Sequence, residues 1–207
     1  MKLNVYIDNL RAYNECNKIG DWVDVFELVK KHENEIYDLV NHQDQPLAKA
    51  VFNAVNEALK TSAQIDLNDP NHDEWFVTDY ESDFGISLSE YCDLFALFAF
   101  AYQVIDNNID ENVLTILIDN YSNYQDVDFD RVDDVICISD TSPIENTYDL
   151  GWACAHEFGM FEGNKNDNLE RYFDYESYGR DLEIELEGQY IDGCYYYIQL
   201  PNFYPLI

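Results

Sequence analysis

Basic residues are what this sequence has least of in proportion. Only 11 Lys and Arg stand against 42 Asp and Glu in 207 residues, giving a net charge of −31 and a pI near 4.1. A surface of that sign repels phosphate, which excludes direct nucleic-acid binding and attachment to anionic membrane. No segment reaches the roughly 18 apolar residues of a membrane span, and no apolar run follows a basic start, so the cytoplasm is the expected compartment. The five cysteines, at 16, 92, 137, 154 and 194, are odd in number and form no CxxC pair, against a disulfide framework or a zinc ribbon. GxSxG, Walker and GxGxxG signatures are all missing, and the bases are too few and scattered to cradle phosphates. No enzyme activity and no cofactor are expected.

Two partial patterns fall short for the same reason. Asp126, Asp128 and Asp130 have the first spacings of an EF-hand loop, but its sixth position is Arg131 instead of Gly and its twelfth is Cys137 instead of Glu. Cys154, His156 and Glu157 lack further ligands at matching spacing, and residues two apart on a helix point in different directions. Close carboxylate pairs carry no information where acids number 42.

What the chain does have is enough apolar material to fold. Hydrophobic residues make up 47% and aromatics 15%, including 17 Tyr and 12 Phe, unlike disordered acidic chains, which lack the groups to bury a core. The charge is also unevenly placed. Residues 1–60 carry 10 acids and 7 bases, residues 61–164 carry 23 and 1, and residues 165–207 carry 9 and 3. Halophilic adaptation would spread its acids over the whole surface, so this concentration favours a site for a cationic partner.

Leu3 to Ile7 alternates as a strand, Trp22 to Val25 reads as a second and Trp75 to Val77 as a third, with turn-like residues from Asn14 to Gly20. Phe26 to Val40 and Leu47 to Leu59 have helical periodicity, and Asn68 to Asn71 breaks the chain. Ser87 to Glu90 forms a capping box that predicts a helix start, with Ile86 stapled onto Tyr91. From Leu94 to Ile105 the helix is apolar on nearly every side, as for the centre of a small bundle, and Val113, Leu114, Leu117, Ile118 and Tyr121 mark the next helix. After the acidic run Asp126 to Asp134 come a strand, Val135 to Ile138, and a second capping box, Ser142 to Glu145. The helix it opens presents Ile144, Tyr148, Trp152 and Ala155 on one face and ends at Gly159. Asp174 to Leu182 reads as a helix and Tyr195 to Leu200 as a strand. The fold class expected is α+β.

The 22 net charges of residues 61–164 equal those on about 37 Å of duplex DNA, roughly 11 base pairs at one charge per roughly 1.7 Å. A domain of about 100 residues is roughly 33 Å across, so the two charge densities are comparable. A protein groove that neutralises phosphates would attract such a surface.

Three blocks then resemble a known family. Val5-Tyr-Ile-Asp-Asn-Leu-Arg-Ala-Tyr-Asn-Glu-Cys-Asn-Lys-Ile-Gly-Asp-Trp-Val-Asp24 is similar to the opening of ArdA antirestriction proteins. Asp79-Tyr-Glu-Ser-Asp-Phe-Gly-Ile86 and Leu169-Glu-Arg-Tyr-Phe-Asp-Tyr-Glu-Ser-Tyr-Gly-Arg-Asp-Leu182 follow in the family's order. The resemblance implies an elongated chain of three small domains: an α/β N-terminal domain over 1–85, a central helical bundle over 86–125 and an α/β C-terminal domain over 126–207. It implies a homodimer formed through the C-terminal domain, carriage on mobile genetic elements and a bacterial host. It also implies occupation of the DNA groove of type I restriction-modification enzymes, against their specificity and methyltransferase subunits. The segment 41–71 is an addition to the family pattern.

On this reading the phosphate-mimicking carboxylates are Asp106, Asp110, Glu111, Asp119, Asp126, Asp128, Asp130, Asp133 and Asp134. The dimer motif is Tyr172, Phe173, Asp174, Tyr175, Glu176, Tyr178, Arg180, Asp181 and Leu182, with Arg180 and Asp181 as pairing partners; internal packing is the other reading of that motif. The rival from another class is an acidic adaptor or chaperone-like protein that binds a basic protein partner.

Overall fold

Leu3, Val5 and Ile7 are fully buried on one side of strand β1 (Leu3–Asn9), as their alternation predicts. The computed structural model describes residues 1–33, 45–69, 74–121, 123–161 and 169–199. Its elements are mixed α and β, with two small antiparallel sheets, and fall into two compact units, Met1–Phe129 and Asp130–Ile207.

In the first unit β1 lies between β2 (Gly20–Asp24) and β3 (Trp75–Ser82). Asp8 stands opposite Gly20, where a Cβ would come within 2.2 Å of its carboxylate, so only glycine fits. The Tyr6 hydroxyl donates to the Gly20 carbonyl at 2.9 Å, and Thr78, the extra residue of a bulge in β3, donates to Asp8 at 2.9 Å. The Gly-acid-Trp part of the opening block thus has a packing role.

Asn9 caps the short helix α1 (Leu10–Asn14), accepting from the Ala12 N–H. Helix α2 (Val25–Glu33) covers the start of the expected 26–40 helix, whose remainder lies outside the described residues. Helix α3 (Gln45–Ser62) buries Ala50, Val51, Ala54, Val55, Ala58 and Leu59. Helix α4 (Leu94–Asp106) packs on both α2 and α3, because a helix apolar on nearly every side needs cover on more than one. The segments expected as a first and a second domain therefore contribute to one compact unit.

The first capping box does not open a helix. Residues 87–92 are held beside β3 by a bond from the Val77 N–H to the Glu90 carbonyl, Tyr91 is 73% exposed, and α4 starts at Leu94 under Asp93. Asp93 accepts from the Phe95 and Ala96 N–H groups.

The second unit has strands β4 (Val135–Ile138), β5 (Gln189–Ile191) and β6 (Cys194–Ile198) in the order β4-β6-β5, with helices α6 (Thr147–Glu157) and α7 (Tyr175–Leu186); α5 (Glu111–Asn120) belongs to the first unit. The second capping box is also displaced. The Ile144 N–H donates to Gly193 at 2.8 Å, the Glu145 N–H donates to Asp149 at 3.2 Å, and Asn146 is the cap of α6. Of the expected face, Ile144 and Ala155 are buried, Trp152 is partly buried and Tyr148 is half exposed, and Leu150, Ala153 and Cys154 are buried as well. Gly159, with φ of 60°, follows its end as expected. Helices α6 and α7 cross backbone to backbone: a Cβ on Gly151 would lie 2.0 Å from the Tyr175 carbonyl, and one on Gly179 would lie 1.7 Å from that of Thr147. Ile144, Leu150, Cys154, Leu182, Leu186 and Tyr195 form the core beneath them.

Candidate functional site

Six of the carboxylates singled out from the sequence, Asp106, Asp110, Glu111, Asp119, Asp126 and Asp128, lie in the first unit, on α4, α5 and the residues that join and follow them. α4 turns Leu97, Phe98, Phe100, Ala101 and Val104 inward and ends on the exposed Asp106. Asp110 then caps α5, accepting from the Asn112 and Val113 N–H groups at 3.0 Å, where a negative charge is favoured by the helix dipole. α5 buries Leu114, Ile116, Leu117 and Ile118, leaving Asp119 exposed and Glu111 half-buried. Glu111 lies 3.5 Å from the N-terminal ammonium, which is also 3.7 Å from Asp83. A Cβ on Gly85 would meet Asp119 at 3.2 Å. The second family block, Asp79 to Ile86, therefore borders these acids, a neighbourhood that no local pattern reveals.

The acidic run is pinned from beneath by apolar side chains that alternate with its acids. Tyr124 and Val127 are buried, while Asp126 and Asp128 are exposed. The ring of Phe100 on α4 lies 5.7 Å from those of both Tyr124 and Phe129, and packs on Phe84 at 6.3 Å. Burial pushes the Tyr124 hydroxyl up to about 12, so it stays protonated and donates to the Asp93 carbonyl at 3.4 Å. Residues 124–129 are thereby packed against α4, where composition alone would describe a solvated loop.

Past the unit boundary, Asp130 and Asp133 are exposed and Asp134 is half-buried. Arg131, the one base between Lys60 and Lys165, is bound within the second unit. Its Nε donates to Asp134 at 3.0 Å and its Nη2 to the Gln199 carbonyl at 3.3 Å. It acts as a clasp between the run and the end of β6.

The late motif divides between an inner and an outer face. Tyr175 is buried among Tyr148, Phe161 and Phe173, and burial, reinforced by Glu170, pushes its hydroxyl up to about 12. Its hydroxyl donates to Glu170 at 3.2 Å, Phe173 packs edge-on against Tyr178, and Leu182 enters the core. Asp174 caps α7; bonds from the Ser177 N–H at 3.0 Å and hydroxyl at 2.7 Å hold its carboxyl below the usual range. Outward stand Tyr172, 80% exposed, with Glu176, Arg180 and Asp181, and then Ile184, 70% exposed. Arg180 reaches Glu176 on its own helix at 3.4 Å.

The remaining chemistry is sparse. Burial pushes the Cys154 thiol up to about 12, and His156 lies against Trp152, the rings tilted with centroids 4.1 Å apart, and 3.4 Å from Glu170, so the two do not form a thiol–imidazole pair. Among the described residues no three His, Cys, Asp or Glu side chains gather as metal ligands, and no helix is long and apolar enough to cross a membrane.

A family model described as antirestriction protein (ArdA) matches residues 5–197. No curated relative matches the chain.

Proposed function

The chain belongs to the ArdA family of antirestriction proteins, and we propose that it works by mimicking duplex DNA in the DNA-binding groove of a type I restriction-modification enzyme. Antirestriction is the function that membership implies, and the family is not a known enzyme family. The observation that carries the finer reading is the stretch 61–130, which has 16 acids and no base, together with the aromatic anchoring that turns the carboxylates at 126 and 128 outward. Asp106, Asp110, Glu111, Asp119, Asp126, Asp128, Asp130, Asp133 and Asp134 take the role of phosphates against Lys and Arg on the specificity and methyltransferase subunits. Each exposed pair contributes at most about 1 kcal/mol, so affinity comes from many acting together.

The test is competition. Purified protein should prevent a type I restriction-methyltransferase complex from binding its duplex target, with the effect fading as salt rises and absent for serum albumin as an acidic control. Failure across several such enzymes would overturn the mimic in favour of the acidic adaptor. The proposal includes a cytoplasmic homodimer joined through the outward side of α7, around Tyr172, Arg180, Asp181 and Ile184. Ile184→Asp should then yield a folded monomer by light scattering; an unchanged mass would leave the motif to internal packing alone.

A further inference from the structure

Two cysteines that the function does not use meet on the second sheet. Cys137 of β4 stands opposite Tyr196 of β6, and Cys194 lies two residues before Tyr196 on the same strand. Side chains alternate along a strand, so Cys137 and Cys194 share one face of the sheet as diagonal neighbours. It is the face opposite Ile138, Tyr195 and Tyr197, which pack on the core. Cys137 is exposed and Cys194 half-exposed, and Cys137 is near enough to raise the Cys194 thiol.

The backbone holds this pair in place. Asp192 and Gly193 form the two-residue turn between β5 and β6, with φ values of 51° and 78°, and the Gly193 carbonyl accepts from the Ile144 N–H at 2.8 Å. On the β4 side, the Gln199 N–H donates to the Asp134 carbonyl at 2.8 Å. Little chain entropy remains to be lost when two sulfurs held on one face of the sheet close to a bonded distance of about 2 Å.

We infer that Cys137 and Cys194 form an oxidation-sensitive dithiol that closes to a disulfide between β4 and β6 on exposure to a peroxide. The exposed Cys137 sulfur attacks hydrogen peroxide, breaking the O–O bond, and becomes a sulfenic acid with release of one water. The Cys194 sulfur then attacks that of Cys137, and the hydroxyl leaves with the Cys194 proton as a second water. Two electrons pass from the thiols to the peroxide. Burial, and after it the adjacent Cys137, holds the Cys194 thiol above its ordinary range, and the more exposed Cys137 is the sulfur that peroxide meets first. The bond would fasten β4, and with it the end of the acidic run, to the sheet.

The experiment treats the full chain with hydrogen peroxide, alkylates remaining thiols after denaturation and maps the peptides by mass. The expected result is loss of the mass of two hydrogens, with the Cys137 and Cys194 peptides joined and released by dithiothreitol. Cys137→Ser and Cys194→Ser should each abolish that loss. Oxygen addition at Cys137 with Cys194 still alkylated, a bond between Cys137 of two chains, or an unchanged loss in Cys194→Ser would overturn the inference. Should a variant not fold, the wild-type peptide map decides alone.

Discussion

The first sixty residues and all but the last of the seventy that follow lie in one compact unit yet use charge in opposite ways. The first segment balances 10 acids with 7 bases, and acids and bases pair within it: Lys31, with His32 beside it, meets Glu57, and Arg11 lies 3.6 Å from Glu15. Residues 61–130 hold 16 acids and no base. Among the described residues, cations of the first segment reach into that stretch from Lys60 to Asp66 at 2.8 Å, from Lys2 to Glu81, and from the N-terminal ammonium to Asp83 and Glu111. The Lys60 ammonium, helped by the Asn68 N–H, pulls the Asp66 carboxyl down to about 2. Apolar burial is alike in both segments, with Ala54, Val55 and Leu59 of α3 as enclosed as Leu97, Phe98 and Ala101 of α4. Folding therefore did not demand the imbalance, which costs stability by self-repulsion. A use outside the fold is what it leaves to explain.

The sharpest way to break the comparison is to remove an anchor without touching a charge. Phe100→Ala should cost about 3–5 kcal/mol in denaturant melts, since this buried ring supports Phe84, Tyr124 and Phe129 together. Phe52→Ala in the first segment, where a part-exposed ring stacks on Phe95 at 6.5 Å, should cost about 1 kcal/mol. Assayed where it is still folded, Phe100→Ala should also inhibit less well. Full inhibition would mean that charge alone suffices and its presentation does not matter.

Next in size is neutralisation. Asp126, Asp128, Asp130 and Asp133 changed together to Asn should weaken competition with duplex by about 10- to 100-fold, as expected of several exposed pairs each worth less than about 1 kcal/mol. The same change at Glu15, Asp21, Glu27 and Glu33, to Gln or Asn, should weaken it by less than about 3-fold. Equal losses would show that net charge matters and position does not.

The sequence disclosed β1 through alternation, β2, β3, β4 and β6 as short apolar runs, α3 and α4 through periodicity, and the list of acids through composition, but it did not disclose β5. It misplaced two helix starts for one shared reason. The boxes at Ser87 and Ser142 satisfy local capping chemistry, but the Glu90 carbonyl is taken by Val77 and the Ile144 N–H by Gly193, partners that only the tertiary fold supplies. The site was legible as charge and illegible as structure. That Tyr124, Val127 and Phe129 turn inward depends on Phe100 arriving from α4, and Arg131 reads as a lone neutralising base until Gln199 is beside it. The Gly151–Gly179 contact likewise leaves no local trace, although it decides which part of the Tyr172–Leu182 motif is packing and which faces outward.

The smallest expected effect separates the two segments by sign. The Lys31 ammonium, and after it His32, whose Nε2 is 2.8 Å away, hold the Glu57 carboxyl below its ordinary range. A lowered folded-state pKa contributes stability above the unfolded value of 4.5 and loses it as pH falls through the folded value. Glu57→Gln should therefore cost about 1 kcal/mol at pH 7, with the gap to wild type closing as the melts are taken below about pH 4.5. A gap constant with pH would mean that the pair does not hold Glu57 ionised. Asp106→Asn should act the other way. Its carboxylate is exposed at the C-terminal end of α4, where the helix dipole disfavours negative charge, and it lies in the base-free stretch. Its neutralisation should raise the melting temperature slightly, and added salt should shrink that gain by screening the same repulsion. Destabilisation at both positions would mean that residues 61–130 are balanced after all, and the charge would need no partner to account for it.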